Sequence, residues 1–86
     1  MEIDIKLCQK AGMSAAIVHS VIAHQCEAKG VPFEGHLFAR MSLKEINKTI
    51  PFLSLRTITR AIDKLETLGL VETRTFVGTT KWRRTI

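Results

Sequence analysis

Arg56 and Arg60 stand four residues apart in the run Ser54-Leu55-Arg56-Thr57-Ile58-Thr59-Arg60-Ala61-Ile62-Asp63-Lys64. On a helix that spacing puts them one turn apart on one side, with Ser54, Thr57, Thr59 and Lys64 completing a polar surface. A guanidinium there can take guanine O6 and N7 as a bidentate pair or clamp a phosphate, and Thr57 and Thr59 can reach phosphate oxygens or a thymine methyl. Asp63 is the dissenting charge and can pair with Arg60 or Lys64. Lys44 and Lys48 precede this run, and Arg74, Lys81 and Arg83 follow it. Lys44 and Lys48 suit backbone phosphates, and Arg74, Lys81, Arg83 and the amides near Gly78 suit phosphates or the adjacent minor groove; none carries sequence preference by itself. The same residues would also make an ordinary solvated helix face, so the elements that position them must decide.

No other chemistry competes strongly. Asp63 and Glu66 are close along the helix and Glu66 and Glu72 flank a turn, but no nucleophile has a base at useful spacing. His19, His24 and His36 are scattered, and Cys8 and Cys26 form no closely spaced pair of the kind that holds zinc. His24 falls at the edge of an apolar stripe and reads as a core-edge residue. The expectation is a non-enzymatic protein with no metal, no cofactor and no small-molecule ligand. Two cysteines with no sign of export read as reduced thiols of a cytoplasmic protein.

Eighty-six residues with 45% hydrophobic content make one globular domain with a thin core. No apolar run approaches a membrane span. The net charge of +5 is unevenly placed. Residues 1–30 carry three basic and three acidic residues, and residues 31–86 carry ten basic against five acidic. After Glu72 every charged side chain is basic. A basic end beside a neutral start is the electrostatic footprint of a polyanion-binding surface.

Taken in order, residues 4–12 read as a short helix capped by Asp4, with Leu7 and Cys8 inward and Gly12 ending it. Ser14 then caps a long helix over 14–29, closed by Gly30 and Pro32. Its apolar residues, including Ile17, Val18, Val21 and Ile22, cover about half the circumference, wider than a surface helix needs. The surplus is absorbed by the first helix or forms the interface of a homodimer. Residues 31–36 read as a turn, and 37–41 as a short strand that joins a later hairpin.

Residues 42–69 read as a helix-turn-helix. Ser42 and Glu45 make a capping box, Pro51 stops the first helix, and Phe52 or Leu53 plugs the angle. Ser54 caps the second helix (54–68), whose buried face is Leu55, Ile58, Ala61, Ile62, Leu65 and Leu68. Gly69 ends it. From 70 to 86 the period changes to two. A hairpin turning at Gly78-Thr79 would pair Val77 with Thr80, Thr75 with Trp82, Thr73 with Arg84 and Val71 with Ile86. Val71, Trp82 and Ile86 would then face the core, with Arg74, Phe76, Lys81 and Arg83 outside. The fold class expected is α+β, a winged helix-turn-helix of three main helices, a C-terminal hairpin wing and a short extra N-terminal helix.

The run IPFLSLRTITRAIDKLETLGLVE resembles the winged-helix domains at the N-terminus of phage and plasmid replication-initiation proteins and of related primosomal proteins of Gram-positive bacteria. Pro51, Phe52, Ser54, Thr57, Ile58, Arg60, Ala61, Leu65, Glu66, Gly69 and Leu70 carry the match. The opening LCQKAGMSAAIVHSVIAHQ, the Gly35 turn, Met41-Ser42 and the closing TTKWRRTI resemble that family more loosely. His24 and Leu37-Phe38 stand where it usually has aromatic residues. The resemblance implies double-stranded DNA as partner, read by a transcriptional regulator or a replication-origin binder. The alternative expectation is a protein–protein interaction module on the same scaffold.

Overall fold

The computed structural model describes residues 5–75, 78 and 80–86. They form a mixed α+β fold in the order α1 (Ile5–Ala11), α2 (Met13–Lys29), β1 (Val31–Phe33), β2 (His36–Arg40), α3 (Leu43–Thr49), α4 (Leu55–Thr67), β3 (Val71–Arg74) and β4 (Trp82–Thr85). The strands make one antiparallel sheet in the order β1-β2-β4-β3.

Gly12 joins the first two helices by serving both. Its amide donates to the Cys8 carbonyl at 2.9 Å, closing α1, and its carbonyl accepts from the Ala16 amide at 3.1 Å, opening α2. Its φ of 93° with ψ of 162° is a conformation that only glycine adopts readily. The N-cap is therefore Gly12, with Ser14 inside the first turn rather than capping it. The cap expected from Asp4 lies outside the described residues.

α2 runs through the middle of the molecule, which explains its wide apolar surface. Val18, Val21 and Ile22 are 0%, 2% and 0% exposed in the single core, packed with Leu7 and Ala11 of α1, Ile58, Ala61 and Leu65 of α4, and Ala39 and Met41. These three cannot contact a second chain. Of the residues expected at a dimer surface, Val18, Val21 and Ile22 are therefore core, and Ile17 is partly buried against it. His24 is exposed.

Residues 31–36 are not merely a turn. Val31–Phe33 pairs with β2 through a two-residue connection, Glu34-Gly35, with both residues at positive φ (52° and 80°), the conformation that suits a tight hairpin. That turn makes Phe33 and His36 its closing pair and aims position 32 at the open edge, where Pro32 removes the donor another strand would use. β2 continues the sheet by pairing Ala39 with Arg83 and Arg40 with Trp82.

Residues 42–69 follow their local signals, with two exceptions. Ser42 Oγ accepts from the Glu45 amide at 3.2 Å, while the Glu45 carboxylate lies 3.7 Å from Lys29 Nζ instead of returning to Ser42. Leu53 packs on the core and Phe52 is 70% exposed. α4 ends with Leu70 N–H on the Leu65 carbonyl and Gly69 N–H on that of Glu66, Gly69 having φ 74°. Ile58, Ala61, Ile62 and Leu65 face the core, but Leu55 is 42% exposed, because it opens the helix beyond the core's edge.

The β3–β4 ladder is one residue out of the alternation expected. Val71 pairs with Thr85, Glu72 with Arg84, Thr73 with Arg83 and Arg74 with Trp82. A one-residue slip exchanges the faces of a strand. Arg83 therefore turns inward, Trp82 and Arg84 turn to the face away from the helices, and Ile86 is 60% exposed rather than core. The pairing of Val77 with Thr80, and Phe76, lie outside the described residues.

Candidate nucleic-acid interface

α4 presents its polar surface as a strip. Arg56, Thr59, Arg60, Asp63 and Lys64 are exposed, and Thr57 is half-buried. Among the described residues Arg56, Arg60 and Lys64 make no ion pair, and Asp63 bridges to none of them. Three hydroxyls are engaged locally. Ser54 Oγ accepts from the Thr57 amide at 3.1 Å and donates to Thr57 Oγ1 at 2.9 Å; Thr59 Oγ1 donates to the Leu55 carbonyl at 2.9 Å. The cap holds the helix start, so Ser54 and Thr57 serve the helix before any ligand.

The hairpin does not extend the strip as its composition suggests. Arg83 is 6% exposed, its Nη1 donating to the Met41 carbonyl at 2.7 Å, its Nε without a hydrogen-bond partner among the described residues. Burial pushes its guanidinium below its ordinary pKa. It cannot serve as a surface phosphate contact.

Arg74 is on the far face of the sheet and is held by two carboxylates, Glu34 Oε2 on Nη1 and Glu72 Oε2 on Nε, both at 2.9 Å. Those bonds raise its pKa, that to Glu34 foremost. Glu72 also accepts from Arg84 Nε at 2.7 Å, and this bond is the main cause that lowers its carboxyl pKa. Both guanidinium carbons lie 5.7 Å from the centre of the Phe38 ring, and Phe33 meets that ring edge-on at 6.3 Å. Phe38, 1% exposed, is thus buried by arginines on the side of the sheet that carries no helix. Sequence reasoning missed this cluster; the signal was the β-alternation of Phe38 and Arg40, unreadable without the register.

Lys81 does approach α4. With Leu43, Thr59, Ile62, Asp63, Glu66, Thr73 and Arg83 it lines a groove of about 290 Å³ between the helix and the hairpin. Glu66 Oε1 accepts from Thr73 Oγ1 there at 2.9 Å. Lys44 and Lys48 are exposed on α3, but Lys48 lines a separate groove with Val21, Gln25 and Lys29 on the α2 side. The structure therefore gathers Arg56, Thr59, Arg60 and Lys64 on one face with Lys81 across the groove, leaves Arg83 buried in the groove's lining, and separates Lys48 and Arg74 from them.

Among the described residues no three His, Cys, Asp or Glu side chains converge as metal ligands, and no helix is long and apolar enough to cross a membrane. No protein-family model matches the chain, and no curated protein or solved structure shows significant similarity to it.

Proposed function

We propose that the chain is a winged helix-turn-helix protein that binds double-stranded DNA without catalysing a reaction, as a transcriptional regulator or replication-origin binder. α3 and α4 are its helix-turn-helix, β3 and β4 its wing, and α4 enters the major groove. The observation that carries this reading is how the arginines divide. Those of β3 and β4 are matched to carboxylates or buried, whereas Arg56 and Arg60 stand exposed without an ion pair among the described residues. A helix of 13 residues is about 20 Å long, enough to lie in the groove with its first two turns on base edges. Lys81 and Lys44, both exposed, and the amide of Gly78, whose φ is 63°, would take backbone phosphates.

The test is fluorescence anisotropy on duplexes selected from a random pool, measured at about 50 and 200 mM salt. Binding should weaken steeply with salt, and the Arg56→Ala/Arg60→Ala double variant should lose it. Unchanged binding by that variant would remove α4 as the recognition element.

A further inference from the structure

Leu55, the first residue of α4, is 42% exposed, and Phe52 in the preceding turn is 70% exposed. The turn that projects them is firmly built. Leu53 between them packs on the core, its amide donating to the Ile50 carbonyl at 3.1 Å and its carbonyl accepting from Asn47 Nδ2 at 2.6 Å. Ser54 then fixes the first turn of the helix through the Thr57 amide. The cap fixes the backbone from which the Leu55 side chain projects.

Single exposed leucines need no explanation. Leu55, however, sits on the rim of a cationic strip, with Arg56 next to it and Thr59 one turn on. Thr59 turns its hydroxyl back to the Leu55 carbonyl, which engages its polar end. The charge selects a polyanion, and the apolar rim selects one that carries apolar points where it meets cations. Duplex DNA has such a point in its major groove, the C5 methyl of thymine.

Resting on the DNA-binding reading above, we infer that Leu55 is a specificity-determining residue that packs its side chain on a thymine methyl in the major groove beside the Arg56 and Arg60 contacts. Burying one methyl is worth about a fourfold change in affinity.

The test alters the DNA, so it does not depend on the fold of a variant. Duplexes selected from a random pool are resynthesised with deoxyuridine replacing one thymine at a time, which removes only the methyl. Wild-type protein should lose about fourfold in affinity at one position or two, and Leu55→Ala should bind the thymine and uracil forms equally. If wild type is indifferent to every replacement while the double arginine variant loses binding, the inference is overturned and the DNA-binding reading stands. The inference is also overturned if Leu55→Ala keeps the full methyl sensitivity. If no duplex is retained at any salt, both fall, and the Phe52–Leu55 end is left to a protein partner.

Discussion

Arg83 stands opposite Thr73 in the β3–β4 ladder, with its guanidinium under the sheet on the Met41 carbonyl. One residue either way would have put that charge in solvent. A buried cation with an orphaned Nε contributes little net stability, and an apolar side chain of similar length fills the same space. Arg83→Met should therefore change unfolding free energy by less than about 1 kcal/mol in urea titration and leave DNA affinity unchanged. A large loss of binding in this variant would return Arg83 to the interface.

Arg60→Ala should weaken duplex binding by about 1–3 kcal/mol. If Arg60 clamps a phosphate, the slope of log affinity against log salt should fall by about 1; if it takes a guanine, the slope should hold while discrimination at one base pair relaxes. Binding isotherms across a salt series separate the two.

Glu72 links stability to acid. Its hydrogen bonds, that with Arg84 first, hold the folded carboxyl below its ordinary value of 4.5. A depressed folded pKa stabilises the native state above the unfolded value, and the contribution disappears as pH falls through the folded one. Urea midpoints measured between about pH 6 and pH 3 should decline below the ordinary carboxylate value. Glu72→Gln should flatten part of that decline.

Two glycines should fail for different reasons. Gly69 has open space where a side chain would go but a φ of 74°, so Gly69→Ala should cost about 1–2 kcal/mol. Gly30 has an ordinary φ of −66°, but an added Cβ would strike the Cys26 carbonyl oxygen and Leu37 Cβ. Backbone cannot yield cheaply, and Gly30→Ala should cost about 3 kcal/mol or more by thermal or urea unfolding.

The two thiols should label separately. Cys26 is 7% exposed, its Sγ–H donates to the Arg83 carbonyl at 3.3 Å, and burial raises its pKa. Cys8 is half-buried beside Met13 Sδ at 3.9 Å. A thiol reagent at about pH 8 should modify Cys8 in the native protein, and Cys26 only on unfolding.

What could be read from the sequence followed from how local its determinants are. α4 was legible because its cap, its apolar spacing and its terminal glycine all lie within the helix. The broad stripe of α2 was equally visible, but which neighbours cover it is a tertiary fact, and the choice between core and dimer surface could not be made from the stripe. β1 was hidden because Pro32 speaks against a strand, and its acceptability at an outer edge is evident only once the sheet order is known. The hairpin register turned on the alternation around Trp82, Arg83 and Arg84, where a tryptophan inside and an arginine outside is the ordinary choice. Arg83's bond to Met41, 42 residues away, and the double hold of Glu72 on Arg74 and Arg84 favour the opposite one. The same slip turned one of the expected DNA contacts, Arg83, inward, whereas Arg74 kept its outer face and is taken up by Glu34 and Glu72.

The place of β4 between β2 and β3 has a consequence for how the chain comes to be folded. The strand that joins the two halves of the sheet follows all the other described elements in chain order. During synthesis the β1–β2 hairpin and the helices can form early, but β2 has one side unpaired and β3 has no neighbour until residues 82–85 emerge. Closure waits on a contact between distant parts of the chain, a slow kind of event compared with helix formation. A ribosome-bound chain halted shortly before Trp82 would keep an open β2 edge, and proteolysis of such stalled chains should cut near the hairpin far faster than in the released protein.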